Sequence, residues 1–422
     1  MTTATLEHPL ARRPNPGPAV QATLIAAALL PMLGGATIAP ALPEIRDVFA
    51  GTPNAPLLTG MVLSTHALAL MLLSPLAGWL GDSTGRKPTL LAGLAGFALA
   101  GTSGAWLPDL PSILVGRLVL GASIALLMTS MTGLVGDLFD EESRRRLLSR
   151  QQAAGTGGGL LFMLGAGALA TVGWREAFLM YLVGAVVLLP ALLFVPSPRA
   201  PATTAGRGPT SNDRLGLWMV APVAAMFLVQ AIFYVVPTQI PGLFARDFGA
   251  GPFQISAALS FMMLTMLPVS LLYPRLSRQA SGPALVAAAF TAPAAGFVVL
   301  AVADARWTIV AGLTIIAAGM ALAMPNLNNW IISSTRDEVR GRAVGMLTTA
   351  LFAGQFLSPV LTQPVINAVG LRAVFSGLAV ISAVTALGYA TLARHRKQGL
   401  NHSPPPARSV RDAGFSARHS SA

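Results

Sequence analysis

Long apolar stretches, separated by short polar or charged segments, recur along the whole chain. Each has roughly 20–27 residues, and a helix of that length crosses about 30 Å of hydrocarbon. Pro108, Asp109 and Pro111 place a turn between the third and fourth stretches. The pattern predicts twelve transmembrane helices, over 20–42, 56–80, 88–107, 110–136, 152–171, 176–196, 215–237, 253–274, 282–303, 306–332, 342–366 and 370–393.

A segment rich in Pro, Gly and Thr interrupts the apolar pattern midway and is typical of a flexible linker. It separates six predicted helices from six more. The predicted organisation is a cytoplasmic N-terminal tail (1–19), a six-helix bundle (20–196), a cytoplasmic linker (197–214), a second six-helix bundle (215–393) and a basic cytoplasmic tail (394–422).

An internal repeat supports the division into halves. Residues 142–146 (Glu-Ser-Arg-Arg-Arg) align with 338–342 (Glu-Val-Arg-Gly-Arg), and residues 173–178 align with 370–375 at nearly the same offset. Repeats six helices apart are typical of two parallel halves related by an axis along the membrane normal. We therefore expect a pseudo-two-fold axis between the bundles.

The distribution of basic residues predicts the orientation. With a cytoplasmic amino terminus and twelve spans, 22 of the 28 Lys and Arg residues fall in cytoplasmic segments. This bias predicts a multi-pass protein of the inner (plasma) membrane with both termini in the cytoplasm. The first apolar stretch is too long for a signal peptide, so we expect it to be a retained helix.

Composition narrows the class of protein further. Hydrophobic residues make up 54% of the 422-residue chain and charged residues only 10%, against about 25% charged in soluble domains. Lipid must therefore cover its surface. The net charge of +12 comes from helix ends and the tail, which does not indicate nucleic-acid binding. The chain has no cysteine, no histidine–carboxylate cluster with metal-ligand spacing and no phosphate-binding loop motif, so we expect neither metal nor cofactor.

The most specific motif joins the second and third predicted helices. Residues 78–90 read Gly-Trp-Leu-Gly-Asp-Ser-Thr-Gly-Arg-Lys-Pro-Thr-Leu. This run resembles the signature loop of the major facilitator superfamily, whose pattern is Gly-x-Leu-small-Asp-x-x-Gly-Arg-Lys/Arg-x-x-Leu. The matching positions are Gly78, Leu80, Gly81, Asp82, Gly85, Arg86, Lys87 and Leu90.

The resemblance covers nearly the whole chain and implies a fold: an all-α membrane protein with two six-helix bundles around a central cavity and alternating access by rocking. It also implies an inner gate. The family's signature Asp and Arg, here Asp82 and Arg86, join an acid at the inner end of the fourth helix, here Asp137. Gly78, Gly85 and Lys87 complete the signature loop. We expect these charges to bias one conformation against the other.

Three residues are candidates for proton coupling. Arg117 is the charged side chain placed inside a span, where it is costly and usually functional. Its sequence resembles the family's fourth-helix motif Arg-x-x-Gln-Gly, in which the Arg is linked to proton coupling, but Leu120 stands where the family often has Gln. None of the 16 acidic residues lies clearly inside a span. Glu44, at the outer end of the first span, and His66, in the second, are the other candidates.

The C-terminal half supplies amide and aromatic candidates for a substrate cavity. These are Gln230, Tyr234 and Gln355, on the seventh and eleventh spans. Amides in a membrane must face protein or water, so each either lines the cavity or bridges helices. With one cation and few acids, such a cavity suits a neutral or amphipathic solute better than a highly charged one.

The sequence thus predicts a secondary active transporter for a small molecule, with protons as the coupling ion, and we expect a monomer. Efflux of small amphipathic compounds is the leading interpretation. In the fifth helix, however, the proline of the antiporter Gly-Pro-x-x-Gly-Gly motif is missing from the glycines at 155–159. The alternatives are a symporter or facilitator that imports a metabolite and, in another class, a membrane sensor that transports nothing.

Overall fold

The architecture comes from a computed structural model that describes residues 16–197 and 216–401. Within these ranges every regular element is helical. The α-helices are α1 (Pro18–Leu29), α2 (Leu42–Val48), α3 (Ala55–Thr84), α4 (Arg86–Thr102), α5 (Leu110–Leu138), α6 (Glu141–Leu169), α7 (Val183–Phe194), α8 (Val220–Phe248), α9 (Pro252–Gln279), α10 (Gly282–Ala301), α11 (Arg306–Ser334), α12 (Asp337–Val369) and α13 (Leu371–Asn401). Short 3₁₀ turns precede α7 and α8 and join α1 to α2.

Ten helical segments in the described part of the chain are long and apolar enough to cross a membrane, and a bent pair, α1 with α2, makes eleven. The one predicted span missing from this set is the fifth, 152–171, which corresponds to α6. Its length suffices, but its charged first turns and its glycines dilute the apolar character. The predicted fold class, an all-α membrane protein with the major facilitator architecture, is confirmed. Ten or eleven of the twelve predicted spans meet the length and hydropathy criteria.

Predicted boundaries and observed ones differ at both helix starts and helix ends. α6 begins at Glu141 rather than at 152, because the Asp140 carboxylate caps it by accepting a hydrogen bond from the Ser143 backbone at 2.8 Å. Asp109 caps α5 in the same way, which places the predicted turn where expected. The last helix continues to Asn401 rather than ending at 393. The predicted linker and tails fall almost entirely outside the described residues.

The first span differs from prediction because it is not a continuous helix. It breaks after Leu33 and resumes at residue 36, and the two arms are bent by 44°. The Gly34–Gly35 pair occupies the break. A Cβ at Gly34 would lie 2.8 Å from Ile124, and one at Gly35 would lie 2.1 Å from the Tyr234 hydroxyl. Only glycine permits such close approach, so this pair sets where the helix opens.

Two ends of the molecule must be distinguished. The signature end is where α3 meets α4, and the opposite end is where α2 meets α3. At the opposite end the N-terminal half (α1–α7) packs against the C-terminal half (α8–α13). There, a Cβ at Gly167 of α6 would lie 1.9 Å from the Ser256 hydroxyl of α9, and one at Gly60 of α3 would lie 3.1 Å from Pro359 of α12.

At the signature end the halves part. A cleft of about 570 Å³ lies between α3 and α12, with walls that run from Leu70 to Pro75 and from Arg342 to Phe352. Closure at one end and opening at the other place the molecule in a single, one-sided conformation.

The internal repeat also appears in three dimensions. Arg175 donates hydrogen bonds to the carbonyls of Ala105 and Leu107, at the end of the third span. The aligned residue Arg372 donates to the carbonyl of Ala303, at the end of the ninth span. Each half therefore ties its last helix to its third in the same way.

Candidate functional site

The carboxylates and the guanidinium of the signature loop lie together at the signature end. Gly85, with φ of +98°, makes the tight turn between α3 and α4, a conformation that favours glycine. The turn sets Arg86 against two acids. Its Nη2 lies 2.5 Å from Asp82, and its Nε lies 4.0 Å from Asp137 of α5. We call these three side chains the signature cluster.

Two more contacts fix the position of the signature cluster. Arg86 crosses α5 directly over Gly133, where a Cβ would lie 2.4 Å from its Nε. Lys87 donates a hydrogen bond to the carbonyl of Leu192 at 2.9 Å, which joins the loop to α7. Gly78 has open space beside it, so crowding does not explain a glycine there.

Arg117 lies in the interior and has no exposed surface. Its Nε donates to the Val62 carbonyl at 2.9 Å and its Nη1 donates to the Tyr181 hydroxyl at 2.8 Å. Its Nη2 donates to the Gly34 carbonyl, which is free because the first span breaks there. Tyr181 in turn donates to the Leu33 carbonyl at 2.8 Å. One buried cation thus joins four spans.

No carboxylate pairs with Arg117 among the described residues, so carbonyl and hydroxyl dipoles, together with the Tyr181 ring 5.2 Å from its Cζ, compensate its charge. Removing one partner from a buried charge is strongly destabilising. A further positive charge nearby would repel the Arg117 guanidinium, since its described partners are neutral.

His66 lies beside this group. Its ring carbons would lie 3.2 and 3.3 Å from a Cβ at Gly34 or Gly35, and the side chain is within electrostatic reach of Arg117. His66 is buried, and its Nδ1 has no hydrogen-bond partner. Whether His66 carries a proton therefore affects the stability of Arg117 and its hydrogen-bond partners.

Tyr234 reaches the same place from the C-terminal half. Its hydroxyl donates a long, 3.4 Å hydrogen bond to the Leu63 carbonyl of α3 and lies against Gly35. Tyr234 therefore bridges the two halves at the break in the first span. Glu44 is exposed in the first turn of α2, at the opposite end of the molecule, and the structure does not bring it into this group.

The amide candidates pair with each other inside the C-terminal half. Gln355 of α12 donates to Gln230 of α8 at 3.2 Å, and Gln230 donates to the Met324 sulfur at 3.3 Å. One turn further along, the Ser358 hydroxyl bonds the Ala231 carbonyl at 2.7 Å. These bonds join α8 to α12. That Gln230 and Gln355 line a substrate cavity stays a prediction.

A second cavity opens at the signature end, within the N-terminal half. It has a volume of about 570 Å³ and lies among α1, α5 and α6. Three methionines, Met32, Met128 and Met131, form part of its wall. Thr132, Gln151, Gln152 and Arg144 supply its polar and charged groups.

Sequence reasoning missed several of these residues. Tyr181 lies in an apolar stretch and gives no local sign that it holds Arg117. Gly133 is one of many glycines in the spans. The Gly34–Gly35 pair was a usable signal, because adjacent glycines in a span favour a break. The methionine wall has no sequence signal, since it comes from two helices that are far apart in sequence.

Comparison with known proteins identifies the family. The family model described as Major Facilitator Superfamily matches the chain twice, over residues 24–240 and 223–420. The chain belongs to the major facilitator superfamily. Together the two matches cover nearly the whole sequence, and they correspond to the two halves.

Similar curated proteins are transporters or resistance proteins. The class C tetracycline resistance protein of Escherichia coli is 25% identical over 351 residues, which is 80% of this chain and 87% of that protein. The multidrug efflux pump LfrA of Mycolicibacterium smegmatis is 32% identical over 42% of this chain and 34% of its own length. The arabinose-proton symporter of Escherichia coli K12 is 30% identical over 42% of this chain and 38% of its own.

Solved structures share the fold at low sequence identity. A D-xylose-proton symporter superposes with a TM-score of 0.70 at 20% identity, covering 88% of this chain and 96% of its own. The nucleoside transporter NupG gives 0.71 at 14% identity, covering 88% and 99%. This major facilitator protein is a multi-pass secondary transporter.

Proposed function

We propose that this protein exports small amphipathic compounds in exchange for protons, as a monomer in the plasma membrane. The observation that carries the proposal is the asymmetry between the two ends. The halves touch at the opposite end, through Gly60 and Gly167, and part at the signature end. Rocking one bundle against the other would expose a central site to one side at a time.

The distribution of basic residues supports this direction. The signature end carries the loop with Arg86 and Lys87, and cytoplasmic loops collect basic residues. This orientation makes the signature end cytoplasmic and the observed conformation inward-facing, ready to load a solute from the cytoplasm. The similarity to the class C tetracycline resistance protein over 80% of the chain supports export.

The signature cluster would bias this cycle. It holds two carboxylates and one guanidinium on the N-terminal half. Arg342 of α12 lines the cleft from the other half. Closing the cleft brings this cation towards α3, where it competes with Arg86 for the carboxylates. The ion pairs of the cluster therefore favour the inward-facing conformation, and their exchange accompanies closure.

Coupling to protons would run through His66 and Arg117. A proton on His66 places a second positive charge beside a buried guanidinium that has no described carboxylate partner. Two like charges in an interior repel strongly. Exchange of a proton at His66 would therefore accompany the change between the two conformations. Tyr234, which bridges the halves beside Gly35, would separate from α3 when the opposite end opens.

Gln230, Tyr234 and Gln355 remain the proposed solute contacts of the C-terminal half. Gln230 and Gln355 satisfy each other in the empty protein. A solute with a carbonyl or hydroxyl group would replace that bond at little net cost.

Flux in proteoliposomes with an imposed pH gradient tests the proposal. Solute should accumulate against its gradient on the side from which protons leave. Asp82→Asn should lower the flux at least about tenfold while the protein still inserts. Asp109→Asn is the matched control, because Asn caps a helix as well as Asp, and its flux should equal that of the unmodified chain. Undiminished flux in D82N, or flux indifferent to the gradient, would refute the proposal.

Import by symport is the second candidate. The similarity to the arabinose-proton symporter over 42% of this chain favours it. The same proteoliposomes separate the two functions, since a symporter moves solute in the direction of proton flow and an exporter moves it the other way.

A further inference from the structure

The cavity among α1, α5 and α6, which we call the methionine cavity, has the dimensions of a small-molecule site. Its volume is about 570 Å³, within the range of about 300–1,000 Å³ common for ligand pockets. Met32, Met128 and Met131 contribute flexible, polarisable side chains from two helices. Such side chains adapt to flat apolar groups of different outline. The wall therefore suits an apolar or aromatic body rather than a sugar.

The polar side of the methionine cavity has one sign of charge. Arg144 is the charged member of its described lining, beside Thr132 and two glutamines. One of these, Gln151, is already committed to the Leu24 carbonyl at 3.1 Å. No carboxylate is among the described residues that line the cavity. A cationic solute would therefore enter without a counter-charge.

Arg144 differs from the arginines beside it. Arg145 pairs with Glu141 at 3.4 Å, and Arg146 pairs with Glu142, each one turn away on α6. Arg144 makes no ion pair with any described residue, although its backbone is well fixed at the capped start of α6. Its positive charge is thus left for a molecule in the cavity.

The neighbouring cleft between α3 and α12 repeats this arrangement. Arg342 is the charged residue of its described lining, and the rest is apolar or hydroxylic. It too makes no ion pair with the described residues. Both cavities at the signature end therefore present a guanidinium that makes no ion pair with a described residue, one from each half of the protein.

We infer that the methionine cavity binds amphipathic organic anions, with the acidic group at Arg144 and the apolar body against the methionines. This assignment rests on the proposed transport function and specifies its substrate class. Guanidinium and carboxylate form short, charge-assisted, often bidentate hydrogen bonds. A lipophilic cation of the same size lacks any such contact.

Equilibrium binding to the purified full-length chain tests the inference. The probes are 2-naphthylacetate, its methyl ester and the naphthylmethyl trimethylammonium cation, which share one ring system and differ in charge. The unmodified protein should bind the anion about tenfold more tightly than the ester and more tightly still than the cation. Arg144→Gln should remove this preference and leave ester binding unchanged, and Arg144→Lys should restore part of it.

Arg145→Gln is the matched control. It removes the same charge one residue away, from an arginine whose partner is Glu141. It should keep the full preference for the anion, since general attraction to the basic surface does not distinguish the two positions. Equal affinity for the three probes, tighter binding of the cation, no binding at all, or equal losses in R144Q and R145Q would each overturn the inference.

The binding result is separate from the transport result. Anion binding that depends on Arg144, without flux driven by a pH gradient, would overturn the proposed function and leave this assignment standing. Gradient-driven flux of the cation or the ester, with no selective binding of the anion, would do the reverse.

Discussion

Alanine at position 133 should disturb the signature cluster without changing any charge. The new Cβ would lie 2.4 Å from the Nε of Arg86, about 1 Å inside ordinary van der Waals contact. The arginine stem must therefore lift away from α5. The ion pair between Arg86 and Asp82, four residues apart, can be kept. The distance between Arg86 and Asp137, now 4.0 Å, must increase.

The size of the effect follows from that distance. Moving the guanidinium from 4.0 Å to about 6 Å from the Asp137 carboxylate, at an effective dielectric constant of roughly 20, costs about 1.4 kcal/mol. Arg86 and Asp137 have 26% and 29% of their side chains exposed, so solvent screening reduces the cost to about 0.5–1 kcal/mol. The inward-facing state should lose about two- to fivefold in relative population.

The absence of cysteine makes the assay direct. Cysteines placed at Met71 and Met346, which face each other across the cleft, can carry spin labels with no background labelling. The distance distribution of Gly133→Ala should gain two- to fivefold in its short, cleft-closed component. Gly136→Ala, on the same helix with nothing within 4 Å, gains the same helix propensity without the clash. Identical distributions for G133A and G136A would refute the reasoning.

Two further predictions concern the Arg117 group. Tyr181→Phe keeps the ring but leaves the Arg117 Nη1 and the Leu33 carbonyl unpaired, so denaturation in detergent should show a loss of about 2–5 kcal/mol in the free energy of unfolding; a loss below about 0.5 kcal/mol would contradict the hydrogen-bond network. His66→Gln removes the titrating group, so flux should become independent of the pH gradient while exchange at equal pH stays within about twofold. His395→Gln, at an exposed site, should keep the dependence, and a pH response surviving in H66Q would exclude His66 as the proton carrier.

The signature cluster shows which contacts could be predicted from the local sequence. Spacing placed Asp82 and Arg86 one helical turn apart, and the turn at Gly85 needs only glycine's freedom at positive φ. The match to a known loop added Asp137 from another helix. The structure brings all three together, but the passage of Arg86 over Gly133 could not be predicted, because it depends on how closely α3 and α5 pack.

For the interior polar residues, the sequence predicted burial but not the hydrogen-bond partners. Arg117 was predictable as a buried cation, since a charge inside a span must face protein. Its partners come from positions distant in sequence: Val62, Gly34 and Tyr181. The sequence could not distinguish whether Gln230 and Gln355 line a cavity or join helices. The hydrogen bond between them depends on how α8 and α12 pack.

The sequence by itself determined the class of molecule. The length and number of apolar stretches, the charge bias of the loops and the signature run are local properties, and the membrane converts them into spans because unpaired backbone groups cannot remain in hydrocarbon. Only the tertiary structure decided which end is open, where the first span breaks and which groups surround Arg117. These depend on distances between helices far apart in sequence, and side-chain packing of a few ångströms sets those distances.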